Sequence, residues 1–141
     1  MRDVAVSAVK LEELSIIIPF RQSADRPEAL WRLWHQIRYL KKACPQAQLV
    51  VSDQSSCVPI SAIATFERSI RHVWNPQRVY SPASCKNAGA RKADGKKLLF
   101  LDIDILPTHR MFTTLAEQFE ASAFKMLWFP VHFVNRDAPT F

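Results

Sequence analysis

The sequence predicts an α/β fold, with a largely parallel sheet flanked by helices. Three observations carry that reading. Short, bounded runs of apolar residues recur at 16–18, 49–51 and 98–101, the pattern of strands buried on both faces. Between them lie stretches with apolar residues at helical spacing. The two types alternate as β-α-β-α-β-α-β-α-β, which argues for parallel strands joined by right-handed crossovers.

The first strand is Leu14-Ser15-Ile16-Ile17-Ile18-Pro19-Phe20, with Pro19 expected to stop its ladder. Residues 21–26 form a polar loop at its carboxyl end. Ser23 or Asp25 is placed to cap the next helix, with Pro27 in the first turn. That helix runs from 27 to about 43, and Leu30, Leu33, Trp34, Ile37 and Leu40 make its apolar stripe. Arg32, Arg38, Lys41 and Lys42 read as a solvated basic face. Cys44-Pro45 ends it.

Residues 48–52 form a second strand, followed by Asp53-Gln54-Ser55-Ser56. A short helix is expected over 60–68. Residues 70–74 alternate apolar and polar, as in a strand nearer the sheet edge. Asn75-Pro76 opens a loop. A helix over 81–93 follows, with Ser81 as N-cap, Pro82 at its first position and Asp94-Gly95 as its stop. Gly89 inside that helix costs about 1 kcal/mol relative to Ala. It marks either tight helix–strand packing or close approach by a backbone or ligand.

Lys97-Leu98-Leu99-Phe100-Leu101 then reads as a central strand running into Asp102-Ile103-Asp104. In an extended chain, side chains at i and i+2 project the same way. Both carboxylates would then emerge together at the carboxyl edge, where open α/β sheets bind ligands. Paired hard oxygens suit Mg²⁺ or Mn²⁺, which usually bring a phosphate with them. A helix over 109–121 carries Phe112, Leu115 and Phe119 on one face. Residues 125–134 form an aromatic strand that Pro130 bends or confines to an edge.

With 141 residues the chain is sized for one domain. A net charge of +6 suggests an anionic partner: nucleic acid, nucleotide phosphates or an acidic membrane surface. Cys44, Cys57 and Cys85 show no C-x-x-C spacing, so reduced thiols are expected. His35, His72, His109 and His132 show no metal-ligand spacing. Residues 1–13 lack the apolar core of a signal peptide, and no apolar run approaches the length of a membrane span. A cytoplasmic location is therefore expected, with peripheral attachment to the inner membrane face through basic residues left open.

Five segments then occur in one order: Ile16-Ile17-Ile18-Pro19-Phe20, Val50-Val51-Ser52-Asp53-Gln54-Ser55-Ser56, Ser84-Cys85-Lys86-Asn87-Ala88-Gly89-Ala90, Asp94-Gly95, and Leu99-Phe100-Leu101-Asp102-Ile103-Asp104. Order and spacing resemble the nucleotide-sugar-binding half of family 2 glycosyltransferases, over roughly residues 14–107. The resemblance implies a GT-A, Rossmann-like fold, with residues 1–13 as an extension and 14–141 as the nucleotide-sugar-binding domain. It implies a nucleotide-diphosphate sugar as donor, a UDP-sugar first of all, and a glycan or lipid-linked acceptor, with no nucleic acid.

By the same resemblance, Pro19, Phe20 and Arg21 would line the nucleoside pocket and Asp53 would receive the base edge. Lys86, Asn87 and Gly89 would lie beside the nucleotide. Asp102 would stand near the ribose or sugar and also serve the metal, and Asp104 would coordinate Mn²⁺ or Mg²⁺. Two departures stand out. Arg21 follows Phe20 where the family often has a neutral contact, and Gln54-Ser55 stands where it usually has a second Asp and a Gly. A general base is not evident: Asp137 is the one late carboxylate, without a motif, so the acceptor-binding half is expected to be lacking.

Two other classes remain. A basic α/β module binding nucleotide or nucleic acid without turnover fits the charge but lacks an aromatic–basic motif. A haloacid-dehalogenase-type phosphatase shares the D-x-D but would want Thr or Val where Leu106 stands.

Overall fold

The computed structural model describes residues 11–55, 70–121 and 126. A 3₁₀ turn, Leu11–Glu13, leads into β1 (Leu14–Phe20). The order continues with α1 (Ala29–Ala43), β2 (Gln48–Asp53), β3 (Ile70–Trp74), α2 (Pro82–Ala90), β4 (Lys97–Phe100) and α3 (His109–Ala121). The four strands form one sheet in the order β3-β2-β1-β4, and every pairing is parallel. This is the α/β, Rossmann-like arrangement that the alternating pattern predicts. The expected helix at 60–68 lies outside the described residues, and so does the expected strand at 125–134 apart from Met126.

β1 is the hub. It pairs with β2 on one side and β4 on the other, and all seven of its residues are buried. Its even-numbered residues Leu14, Ile16, Ile18 and Phe20 share a core with Leu33, Ile37 and Leu40 of α1 and with Phe112 and Leu115 of α3. Its opposite face meets α2. A Cβ on Gly89 would stand 2.6 Å from Ile17 Cγ2 and 3.1 Å from Ser52 Cβ. Of the two readings of Gly89, tight helix–strand packing is the one the contacts display.

Four expectations need correction. β1 does not stop at Pro19 but pairs through Pro19↔Ser52 to Phe20↔Asp53. The reason is the direction of the missing N–H. Ile17 O accepts from Leu101 N, so Ile17 faces β4, and Pro19, two residues on, faces the same way. The β1–β4 register has by then ended, at Ile17↔Phe100, so Pro19 deprives no partner.

Second, β4 ends the sheet that the described residues form. It is an edge strand of the described sheet, and Leu98 and Phe100 are 41% and 44% exposed while Leu99 and Leu101 turn to the core. An apolar run reports hydrophobicity, not how many neighbours a strand has. Third, α1 begins at Ala29 with Glu28 as N-cap, which makes no side-chain capping bond, rather than with Ser23 or Asp25. Fourth, α2 stops at Ala90, earlier than residue 93. Its start is as predicted: Ser81 Oγ accepts from Ser84 N and Pro82 fills the first turn.

Candidate functional site

Parallel strands deliver their connecting loops to one edge. The strand order 3-2-1-4 places a topological switch point between β1 and β4, the position beyond the carboxyl ends where open α/β sheets bind their ligands. The loop after Phe20 and the segment after Phe100 flank it.

The D-x-D segment is not an extension of β4. Leu101 N still donates to Ile17 O at 3.0 Å, but Ile105 N then donates to Asp102 O at 3.1 Å and closes a turn. The i, i+2 argument for a common direction therefore does not apply, because the chain is no longer extended. Asp102 and Asp104 are both exposed on this turn. Lys86 Nζ, from α2, lies 3.2 Å from Asp102 Oδ1. Beneath the turn, Gln36 Nε2 of α1 donates to Asp102 O and Ile105 O, and Tyr39 Oη donates to Pro107 O. Tyr80 lies nearby. Burial first, then the neighbouring Cys85 and Asp102, push its hydroxyl up to about 12, so it stays neutral at ordinary pH.

The β2 loop is built differently. Asp53 is fully buried, with Oδ1 accepting from Ser55 N at 2.8 Å and Oδ2 lying 3.0 Å from His72 Nε2. Gln54 is also fully buried. Its N–H donates to Phe20 O at 2.9 Å, and its Oε1 accepts from Ser81 N at 3.0 Å. Ser55 Oγ accepts from Gln22 N, and Ser55 O accepts from Trp74 Nε1. These bonds tie the ends of β1, β2 and β3 and the start of α2 into one frame.

Of the residues expected at the site, Lys86 and Asp102 are in contact, and Asp104 shares the turn. Arg21 directly follows β1, and its guanidinium donates to Gln77 O and Arg78 O, clasping the loop before α2. Pro19 is buried within β1, and Phe20 belongs to the hydrophobic core. Asn87 is exposed on α2, and Gly89 is buried against Ile17 and Ser52. Cys85 is a packing residue, as expected. Its thiol donates to Ser52 O, Ser52 Oγ donates back to Cys85 O, and burial raises its pKa.

Gln36 and His72 escaped the sequence reading. Gln36 did leave a signal, a polar residue beside Leu33, Ile37 and Leu40 on an otherwise apolar stripe. His72 left none, since one polar residue in an alternating strand is ordinary.

The donors on the turn fit a hard divalent cation. Mg²⁺ and Mn²⁺ are commonly held by one or two carboxylates, with water and phosphate oxygens completing the shell. Among the described residues no three His, Cys, Asp or Glu gather as a cage. Two exposed carboxylates on one turn at the β1/β4 switch point are the matching arrangement.

Comparison with known families shows a match to the one described as glycosyltransferase-like family 2, over residues 15–137. A search of curated proteins finds no match.

Proposed function

From the premise that this chain belongs to glycosyltransferase-like family 2, we propose that it binds a nucleotide-diphosphate sugar, a UDP-sugar first of all, and passes the sugar to a glycan or lipid-linked acceptor. The observation that carries this reading is the Asp102–Asp104 turn at the β1/β4 switch point, with Lys86 against Asp102. The four-stranded parallel sheet flanked by helices is consistent with the GT-A fold.

In the transfer, an acceptor oxygen attacks the anomeric carbon, and the bond from that carbon to the β-phosphate oxygen breaks. The electron pair leaves with the nucleoside diphosphate, and the acceptor's proton goes to a base outside the assigned residues. Asp104 and Asp102 would hold the divalent cation, Mn²⁺ or Mg²⁺. When bound, that cation supplies charge neutralisation to the departing diphosphate. Lys86 adds a second positive charge at the same place. Arg21, just past the buried Pro19–Phe20 end of β1, would line the nucleoside side with Asp53 behind it, and exposed Asn87 would approach from α2. The net charge of +6 also supports work at an anionic membrane surface on the cytoplasmic side.

Thermal denaturation against UDP-, GDP- and dTDP-sugars, with and without Mn²⁺, tests the reading. A ligand at 100 times its Kd stabilises by about 2.7 kcal/mol through mass action. One nucleotide class is expected to raise Tm, and to do so more with Mn²⁺ present. No shift with any of them overturns the proposal, and tight, salt-sensitive binding to nucleic acid instead would favour a binding module.

A further inference from the structure

We propose that Gln36 is a positioning residue for the cation, acting through the backbone of the Asp102–Asp104 turn; this rests on the donor-site reading above. Gln36 is fully buried on the stripe of α1 that also carries Leu33, Ile37 and Leu40. An uncharged amide in such a place is costly unless it is hydrogen-bonded. Its Nε2 donates to Asp102 O at 2.6 Å and to Ile105 O at 2.7 Å. Two carbonyl partners require the NH₂ end of the amide, so its orientation follows from the contacts. Those carbonyls are the first and last of the turn, and Asp102 O also accepts from Ile105 N. The turn is thus pinned at both ends from beneath.

The other end of the same amide reveals an imbalance. Gln36 Oε1 is buried without a hydrogen-bond partner among the described residues. An unsatisfied buried acceptor costs about 1–3 kcal/mol. Met or Leu would avoid that cost and fill similar volume, but would take this donor from Ile105 O and leave Asp102 O with Ile105 N alone among the described residues. The position is therefore poor for packing and good for holding the turn. Tyr39, three residues on, extends the grip to Pro107 O.

Placement matters because the Asp102 and Asp104 side chains are exposed, with Lys86 on Asp102 as a partial restraint. Where their oxygens stand is set mainly by where the turn's main chain stands. Residues that orient ligating groups without touching the metal typically change metal affinity 10- to 100-fold.

The test compares Gln36→Met with the unsubstituted chain. Calorimetry gives the affinity for UDP with and without Mn²⁺, and amide hydrogen exchange follows Ile105. Gln36→Met is expected to cut the Mn²⁺-dependent gain in affinity by about 10-fold or more. Metal-free UDP affinity should stay unchanged, and Ile105 should exchange faster. Leu33→Ala, a core truncation on the same helix, is expected to lower stability while leaving the Mn²⁺ gain intact. An intact gain in Gln36→Met, or an equal loss in Leu33→Ala, overturns the inference while the donor site stands. If Gln36→Met does not fold, Tyr39→Phe carries the same expectation at smaller size, and an unchanged gain there overturns it. No Mn²⁺-dependent gain in the unsubstituted chain overturns the donor-site reading, and the inference with it.

Discussion

The two ends of this sheet use the same polar residue types in opposite ways. At the amino end, Gln48 has both ends of its amide engaged: Oε1 accepts from Ser15 Oγ and Asp94 N, and Nε2 donates to Asp94 Oδ2. Arg71 donates to Asp94 Oδ1 and Lys92 O, and Gly95 N donates to Ser15 Oγ. At the carboxyl end, Gln36 and Gln54 each leave one buried amide atom without a partner, Oε1 and Nε2 respectively, among the described residues. There the carboxylates of Asp102 and Asp104 face solvent. A closed network joins loops to strands, whereas exposed charge is what a ligand can use, and the buried unpaired amide atoms mark side chains held there at a cost in stability. Changes at the amino end should therefore cost stability, and changes at the carboxyl end should cost binding.

The largest expected effect is at the carboxyl end. Asp104→Ala or Asp102→Ala should weaken Mn²⁺-dependent nucleotide-sugar binding by about 100-fold or more, since direct ligands matter at least as much as their supports. Urea midpoints should barely move, because the Lys86–Asp102 pair is partly exposed and such pairs contribute about 0–1 kcal/mol. Unchanged binding in both variants would erase the contrast.

Next in size is Gly95→Ala at the amino end. Its Cβ would lie 2.5 Å from Glu13 O and 2.7 Å from Ser15 N, both backbone atoms that cannot yield easily. Overpacking of this kind costs about 1–3 kcal/mol. Chemical denaturation should register the loss, while the folded fraction keeps its ligand affinity.

Ser81→Ala sits between the two ends and sharpens the comparison. Loss of the cap to Ser84 N should cost about 1 kcal/mol of stability. Ser81's own N–H still reaches Gln54 Oε1, so nucleotide affinity should change little by calorimetry.

The smallest effect is on acid stability. The Arg71 hydrogen bond, then the bond from Gln48, hold the Asp94 carboxyl below its ordinary value. A lowered folded-state pKa contributes stability above the unfolded value, near 3.8, that is lost as pH falls through the folded one. Asp94→Asn should flatten that part of a stability–pH curve, and an unchanged acid limb would show that the network does not depend on this charge.

Much of the scaffold was legible because its signals are local. The β-branched run of β1, the alternation over Ile70–Trp74, the Ser81-Pro82 start of α2 and the apolar spacing of His109–Ala121 each depend on neighbours a few residues away. The family resemblance was legible for a similar reason: its segments are short and keep their order. The limits lay where a residue's meaning depends on distant chain. Whether Pro19 breaks a ladder depends on which side β4 ends, and the apolar run of β4 could not say that it lies at an edge of the described sheet.

By itself, then, the sequence determined the element types of the described residues and the α/β class, because hydrophobic periodicity and capping act over a turn or a strand. Tertiary structure alone decided that Asp102 and Asp104 stand on a turn, that Lys86 reaches Asp102 from α2, and that a buried glutamine of α1 holds that turn from below. The physical reason is distance along the chain. Gln36 and Asp102 are separated by 66 residues, and only packing α1 against the sheet brings an amide within hydrogen-bonding range of those carbonyls.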